Sequence, residues 1–220
     1  MESDNNKVQR LARMDCCAVS DALDKLELPG VVSGLPQLSG VRRITGRAVT
    51  MKLGVGSPQP GPVRHLGTTA IESAQAGDVI VIEQRSGVEA GSWGGILTLG
   101  AKLRGVAGVV SDGLVRDIDE ARGYDFPVFA RGCTARTARS RIVEMANNEP
   151  VMIGDAFVSA GDYVTADGSA VIFIKPENID KVLEAAEYIA AREAAMMKAL
   201  LAGRPITEVM GANYEHMLKG

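Results

Sequence analysis

Residues 93–117, WGGILTLGAKLRGVAGVVSDGLVRD, contain two apolar patterns in succession. The first has helical spacing from Gly95 onward and places four residues on one helical face: Ile96, Leu99, Gly100 and Leu103. The second, GVAGVV, is a short uninterrupted apolar run of the kind found in buried strands. The segment therefore predicts a crossover helix followed by a buried strand, which ends at an Asp112-Gly113 turn.

The flanking segments extend this pattern. GDVIVIE precedes the helix and FPVFA follows the strand, and both have strand character. Strand, helix, strand, helix, strand is typical of a parallel sheet with crossover helices. Residues 153–174, IGDAFVSAGDYVTADGSAVIFI, are instead short apolar runs divided by Gly-Asp and Asp-Gly turns, which predicts antiparallel strands. The fold class is therefore α/β.

The two ends of the chain have helical periodicity. We expect one domain over residues 1–220, with an N-terminal helical segment over 7–26 and a C-terminal helix over about 178–202. Gly203 and Pro205 stop the second helix. Within AVSDALDKL, residues 18–26, Ser20 is the residue expected to cap a helix N-terminus.

Composition excludes several classes of function. A net charge of −3 gives no general attraction to nucleic acid or to an anionic membrane, and 4% aromatic residues make a base-stacking surface improbable. No apolar run reaches the length of a membrane span, and the polar start MESDNNKVQR has no signal-peptide core. Three cysteines without a CxxC pair suit a reducing compartment. We expect a cytoplasmic protein with a small-molecule ligand.

Candidate chemistry lies where the predicted strand ends. Asp117 offers oxygen ligands of the kind that Mg²⁺ or Mn²⁺ prefer, and Arg116 offers a planar fork that grips a carboxylate. Such a pair would suit a 2-oxo acid at the carboxyl ends of parallel strands. The spacing alone favours a structural alternative, in which a surface Arg is followed by a helix-capping Asp.

Two further segments allow alternatives. GSWGGIL, residues 91–97, could bind an anion at a helix start or form only a tight turn, and it matches neither a dinucleotide-binding nor a Walker A pattern. Four arginines after FPVFA could bind a polycarboxylate or RNA phosphates, although a solvated or inter-subunit patch is commoner: Arg131, Arg136, Arg139 and Arg141.

Taken together, AVSDALDKL, ITGRAVT, AGDVIVIE, residues 93–117, FPVFARG and SAGDYVTADGSAVIFI resemble the RraA-like family. That family includes class II, metal-dependent pyruvate aldolases acting on 4-hydroxy-4-methyl-2-oxoglutarate and 4-carboxy-4-hydroxy-2-oxoadipate. The resemblance implies a swivelling β/β/α fold of the phosphohistidine-domain type. It also implies a homotrimer or homohexamer with active sites between subunits and one divalent metal, Mg²⁺ or Mn²⁺, in each.

The resemblance also implies a role for individual residues. Asp117 would be the metal ligand, and Arg116 would bind pyruvate and stabilise its enolate. Glu193 would supply an acid to a neighbouring subunit, with Asp21 as a weaker candidate. The pyruvate carboxylate would lie on backbone N–H groups of Gly94, Gly95, Ile96 and Leu97. The chain departs from many aldolase members at Gly95, where they carry Asp or Glu.

The implied reaction is cleavage of a 4-hydroxy-2-oxo acid to pyruvate and a second oxo acid through a metal-bound pyruvate enolate, with oxaloacetate decarboxylation as a side activity. The alternative is a non-catalytic member that regulates a ribonuclease, or another protein, by binding it. Regulators of that kind typically lack the acid after Arg, whereas this chain has Arg116 and Asp117 together. The pair favours the enzyme.

Overall fold

A parallel core of four strands organises the structure, a computed structural model that describes residues 3–57 and 64–211. The described strands are β1 (Val31–Val32), β2 (Gln37–Ser39), β3 (Ile44–Gly54), β4 (Val79–Gln84), β5 (Gly108–Val115), β6 (Val128–Cys133), β7 (Val143–Asn147), β8 (Val151–Ile153), β9 (Ala156–Val158), β10 (Tyr163–Ala166) and β11 (Val171–Ile174). Strands β3, β4, β5 and β6 are parallel neighbours in that order. This confirms the prediction made from alternating strands and helices.

Antiparallel strands complete the sheet on both sides. The first half of β3 pairs with β10, β10 with β11, and β11 with the edge strand β1. β2 lies against β6 at the opposite edge, and β7 pairs with the second half of β3. β8 and β9 form a separate hairpin. The prediction of antiparallel strands after residue 152 is therefore confirmed.

The predicted turn at Asp112-Gly113 is wrong, because β5 continues through both residues to Val115. The register between β5 and β6 shifts between Ser111 and Leu114, so the strand contains a bulge there. Asp112 is buried, and it accepts hydrogen bonds from Arg131 Nε at 2.6 Å and from Gly154 N–H at 2.9 Å. A side chain at Gly113 would meet Gln84, since a Cβ would lie 2.2 Å from Gln84 Oε1. Asp112-Gly113, a dipeptide typical of turns, therefore lies inside a strand, where the glycine allows close packing against Gln84.

The described residues form seven helices: α1 (Asp4–Leu11), α2 (Cys16–Lys25), α3 (Thr68–Ser73), α4 (Gly95–Arg104), α5 (Ile118–Gly123), α6 (Ile179–Leu201) and α7 (Ile206–Val209). The residues of α3, α4 and α5 that face the sheet join one apolar core with strand residues such as Ile80 and Val109. The β8–β9 hairpin joins a second core, and α1, α2 and α6 pack with β10 and β11 in a third. The fold is therefore mixed α/β with helices at both ends, as predicted.

Helix α2 begins earlier than the sequence suggested. Asp15, not Ser20, is its N-cap, and the Asp15 carboxylate accepts a hydrogen bond from Ala18 N–H at 2.8 Å. The N–H of Cys16 donates to Asp167 Oδ2 at 2.9 Å, in the turn between β10 and β11. These two carboxylates satisfy N–H groups in the first turn, so the helix starts at Cys16 and Ser20 lies inside it.

Helix α4 forms where predicted, but the face marked by the apolar periodicity is exposed. Ile96 is 89% and Leu103 80% exposed, whereas Leu97, Thr98 and Ala101 are buried. The buried Trp93 indole N–H donates to Thr98 Oγ1 at 2.9 Å, and Thr98 Oγ1 donates to the Gly94 carbonyl at 3.0 Å. These bonds direct the Thr98 side of the helix to the core.

Helix α6 is only partly packed. Its buried residues end at Ile189, and the helix continues to Leu201. Among the helices of residues 3–57 and 64–211, none is both long and apolar enough to cross a membrane.

Candidate active site

The candidate site lies at the carboxyl ends of β4 and β5, where backbone hydrogen bonds join the loop before α4 to the end of β5 and to the residue that follows it. Ser92 N–H donates to the Leu114 carbonyl at 2.8 Å, and Arg116 N–H donates to the Trp93 carbonyl at 2.9 Å. The Ser92 and Ser111 hydroxyls, both buried, are 2.7 Å apart. The glycine-rich loop before α4 is thus fixed beside the residues that follow β5.

Asp117 adopts a conformation that a capping role does not explain. Its φ of 55° and ψ of 38° place it in the left-handed region, which costs most non-glycine residues about 1–2 kcal/mol and Asp less. It occupies the N-cap position of α5, yet its side chain makes no capping hydrogen bond. Asp117 Oδ2 instead accepts from Gly95 N–H at 3.1 Å. The carboxylate therefore faces the start of α4.

Arg116 lies against the same loop. Its Nε contacts both oxygens of the Asp117 carboxylate at 3.1 Å. A Cβ at Gly91 would lie 2.8 Å from Arg116 Cγ, and one at Gly94 would lie 3.3 Å from it. The stem of Arg116 therefore packs where two glycines leave room. In the described part of the chain, the two terminal guanidinium nitrogens make no hydrogen bond and remain available for an anion.

One of the backbone N–H groups in the first turn of α4 already has an acceptor. Asp117 takes the Gly95 N–H, whereas the N–H groups of Ile96 and Leu97 have no acceptor among residues 3–57 and 64–211. Free N–H groups in the first turn of a helix are an anion-binding arrangement. Of the four residues expected to hold a carboxylate by their backbone, Gly95 is already committed to Asp117.

Asp117 fits a divalent ion that takes few protein ligands. Mg²⁺ commonly binds one or two carboxylates and completes its shell with water and substrate oxygens. Among residues 3–57 and 64–211, no group of three or more His, Cys, Asp and Glu is placed to hold a metal. A cation at Asp117 would share that carboxylate with Arg116 and with the Gly95 N–H.

Glu193 and Asp21 lie in a different place in the fold. Glu193 is in the second half of α6, and burial, with the nearby carboxylates of Asp15 and Asp21, raises its pKa above the ordinary value. Burial likewise raises the pKa of Asp21, with Asp24 and Asp15 contributing. No contact in the described chain joins Glu193 to Arg116 or Asp117, so a shared site would need a second copy.

The four arginines that follow FPVFA, the first of them inside β6, have separate surroundings. Arg131 pairs with Asp112, and Arg136 Nε lies 3.0 Å from Glu89 Oε2. Arg141 donates to the Thr137 carbonyl, whereas Arg139 contributes its backbone N–H to Thr137 Oγ1. Carboxylates thus pair with two of the predicted anion-binding groups.

One acidic residue near the site, Glu120, was not among the site residues predicted from the sequence. The Glu120 carboxylate lies against Gly95, because a Cβ built on Gly95 would be 1.7 Å from Glu120 Oε2. Residues 117–120, DIDE, have the spacing of a capping box, in which a Glu bonds the N-cap backbone. That pattern could have drawn attention to Glu120, but it would have given the residue a purely structural role.

Comparison with known proteins identifies relatives over most of the chain. A protein from Legionella pneumophila named DlpA is 26% identical over 210 residues, which cover 94% of this chain and 34% of that protein. The chain thus spans about a third of this relative. A Halalkalibacterium halodurans protein named "Putative 4-hydroxy-4-methyl-2-oxoglutarate aldolase" is 30% identical over 184 residues, 83% of this chain and 82% of that one.

Solved structures share the fold. One, from Pseudomonas syringae pv. tomato, has a TM-score of 0.84 at 25% identity and covers 96% of this chain and 100% of that chain. Streptomyces coelicolor RraAS2, described as an unusual member of the RNase ES inhibitor RraA protein family, has a TM-score of 0.77 at 25% identity, over 90% of this chain and 98% of that one. A model of the RraA-like family, Aldolase/RraA, matches residues 16–173. The chain belongs to the RraA-like family.

Proposed function

We propose that the chain is a divalent-metal-dependent lyase that cleaves a 4-hydroxy-2-oxo acid to pyruvate and a second oxo acid through a pyruvate enolate. Oxaloacetate decarboxylation, which forms the same enolate, is the expected side activity. The observation that carries the proposal is the left-handed Asp117, whose carboxylate contacts Gly95 and Arg116 and does not cap α5. Family membership and a relative named as an aldolase support it.

Arg116 would bind the oxo acid and its enolate. The guanidinium is planar and always charged, and its Nε is already oriented by Asp117, so the terminal nitrogens are held in place before substrate arrives. Such a preorganised donor stabilises negative charge that develops as the carbon–carbon bond breaks. The free N–H groups of Ile96 and Leu97 would hold the carboxylate at the other end of the pyruvate unit.

Asp117 would be the protein ligand for Mg²⁺ or Mn²⁺. When bound, the ion supplies a Lewis acid that polarises the oxygens of the 2-oxo acid. The chain's own contribution is to fix the carboxylate through the Gly95 N–H and to hold Arg116 beside it. Charge on the substrate would then be balanced from two sides.

A homotrimer or homohexamer with sites between subunits is part of the proposal. The exposed α4 face, with Ile96 and Leu103, lies on the helix whose N-terminus forms the site. An apolar helix face is a typical surface for contact between copies. The far half of α6, which contains Glu193, could then reach a neighbouring site.

Glu193→Gln is expected to separate stability from activity. Burial and two nearby carboxylates raise the pKa of Glu193 in the folded state, so the stability linked to its protonated form is present below pH 4 and is lost as pH rises through the raised pKa. At pH 7 the Gln variant should therefore be more stable, by roughly 0.2–1 kcal/mol. Thermal melts at pH 7 and at pH 3.5 measure this difference, which should vanish at the lower pH.

If Glu193 serves a neighbouring site, the same variant should also release pyruvate more slowly. Normal turnover with raised stability would leave Glu193 no part in catalysis. Glu184→Gln, an exposed substitution on the same helix, is the matched control for both measurements.

The proposed function is tested by coupled detection of pyruvate release from 4-hydroxy-4-methyl-2-oxoglutarate and 4-carboxy-4-hydroxy-2-oxoadipate. Activity should disappear with EDTA and return with excess Mg²⁺ or Mn²⁺. Turnover that is unchanged in EDTA would contradict metal dependence. Absence of turnover with every metal and substrate would favour the alternative, a non-catalytic regulator that binds a ribonuclease or another protein, as the description of RraAS2 suggests.

A further inference from the structure

Glu120 occupies the space that a side chain at residue 95 would fill. A Cβ on Gly95 would lie 1.7 Å from Glu120 Oε2 and 2.6 Å from Glu120 Cδ. The same Cβ would be 3.3 Å from Asp117 Cβ. The carboxylates of Glu120 and Asp117 are thus brought together at the first residue of α4.

No structural role accounts for this position. In the described part of the chain, the Glu120 carboxylate makes neither a hydrogen bond nor an ion pair, whereas the adjacent Asp119 pairs with Arg122 at 2.9 Å. The capping-box contact that its spacing would allow is also not formed. Glu120 is an exposed residue whose carboxylate lies over Gly95, on the short helix that begins after Asp117.

Retro-aldol cleavage needs a proton acceptor, and within one copy of the chain neither Arg116 nor Asp117 supplies it. Arg116 is a permanent cation, and Asp117 is committed to Gly95 N–H and to Arg116. The hydroxyl on C4 must lose its proton as the C3–C4 bond breaks, because that oxygen becomes the carbonyl of the second product. A positioned carboxylate is a common acceptor in such a step.

We propose that Glu120 accepts this proton and that residue 95 is glycine because Glu120 needs the space. The proposal rests on the proposed lyase function. As the C3–C4 bond breaks, its electron pair passes into the pyruvate enolate, and the C4 hydroxyl proton passes to Glu120. The proton is then returned to C3, which becomes the methyl group of pyruvate, and Glu120 is ionised again.

The experiment compares two reactions that share the enolate but not the hydroxyl proton. Glu120→Gln should lower pyruvate release from 4-hydroxy-4-methyl-2-oxoglutarate about 10²–10⁴-fold, the range for loss of a general base. Carbon dioxide release from oxaloacetate needs no hydroxyl deprotonation and should change less than about tenfold on the same estimate. Asp119→Asn, a neighbouring substitution at a side chain that is 92% exposed, should leave both reactions unchanged.

A second variant tests the contact between Glu120 and residue 95 by changing residue 95. Gly95→Ala keeps the backbone N–H but places a methyl group where Glu120 Oε2 lies, so it should displace that carboxylate and slow cleavage. Both changes remove the same interaction, the contact of the Glu120 carboxylate with the substrate. The Gly95→Ala, Glu120→Gln double variant should therefore be no slower than Glu120→Gln. Circular dichroism establishes that each variant is folded.

Each outcome decides between the proposals. Normal cleavage by Glu120→Gln, or an equal loss of cleavage and decarboxylation, would overturn the role of Glu120 and leave the lyase standing. A double variant whose loss of rate is the product of the two single losses would also contradict the role of Glu120. If the wild-type protein releases neither pyruvate nor carbon dioxide with any metal, the lyase and the role of Glu120 fail together.

Discussion

Arg116→Lys should lower turnover in pyruvate release about 10²–10³-fold, the range for removal of one preorganised donor to a developing oxyanion. Lys keeps the positive charge and an aliphatic stem that fits beside Gly91 and Gly94. It lacks both the Nε that contacts the Asp117 carboxylate and the planar pair of terminal nitrogens. The fold should therefore survive while the geometry around the enolate is lost.

Inhibition by oxalate, a planar analogue of the pyruvate enolate, should weaken in parallel in Arg116→Lys. Arg122→Lys is the matched control, because Arg122 pairs with the exposed Asp119 on the outside of α5. Turnover within about threefold of wild type, against the expected range, would mean that the planar guanidinium geometry of Arg116 is not needed in the reaction.

Asp117→Asn should abolish most activity through loss of a ligand charge. Changing a residue that only supports a metal ligand typically costs 10–100-fold in affinity or activity, so changing the ligand itself should cost more than about 100-fold. Asn also tolerates the left-handed conformation, and its side-chain oxygen can accept the Gly95 N–H as Asp117 does. The substitution is therefore nearly isosteric, and thermal stability should change little.

Asp119→Asn removes an equal charge two residues away and should keep full activity. A large fall in melting temperature for Asp117→Asn would show that the carboxylate is needed for folding. Activity that is lost in Asp117→Asn but recovered fully at high Mg²⁺ would mean that metal affinity alone had changed.

The parallel arrangement of β4, β5 and β6 could be predicted from sequence because these strands are short apolar runs separated by helical patterns. What failed depended on tertiary contacts. The bulge at Asp112-Gly113 exists because Arg131, distant in sequence, pairs with Asp112 while Gln84 fills the space beside Gly113. The buried face of α4 is fixed by the Trp93–Thr98 hydrogen bond, and neither partner follows from apolar periodicity.

The candidate site shows the same division. Motif order placed Arg116 and Asp117 together at a strand end, and it placed GSWGGIL at a helix start. Spacing could not reveal that Asp117 turns away from its own helix to the N–H of Gly95, since that requires a left-handed backbone. The position of Glu120 depends on a missing side chain at residue 95. The contact between Glu120 on α5 and Gly95 on α4 depends on how the two helices pack, which the sequence does not show.

The most direct test of the separate roles of Arg116 and Asp117 is Mn²⁺ affinity, measured by calorimetry in wild type, Arg116→Lys and Asp117→Asn. Oxalate affinity is measured in the same three proteins at saturating Mn²⁺. Asp117→Asn should bind Mn²⁺ more weakly than wild type. Arg116→Lys should bind Mn²⁺ nearly as wild type does but bind oxalate more weakly. Equal Mn²⁺ affinity in wild type and Asp117→Asn would contradict the assignment of Asp117 as the metal ligand.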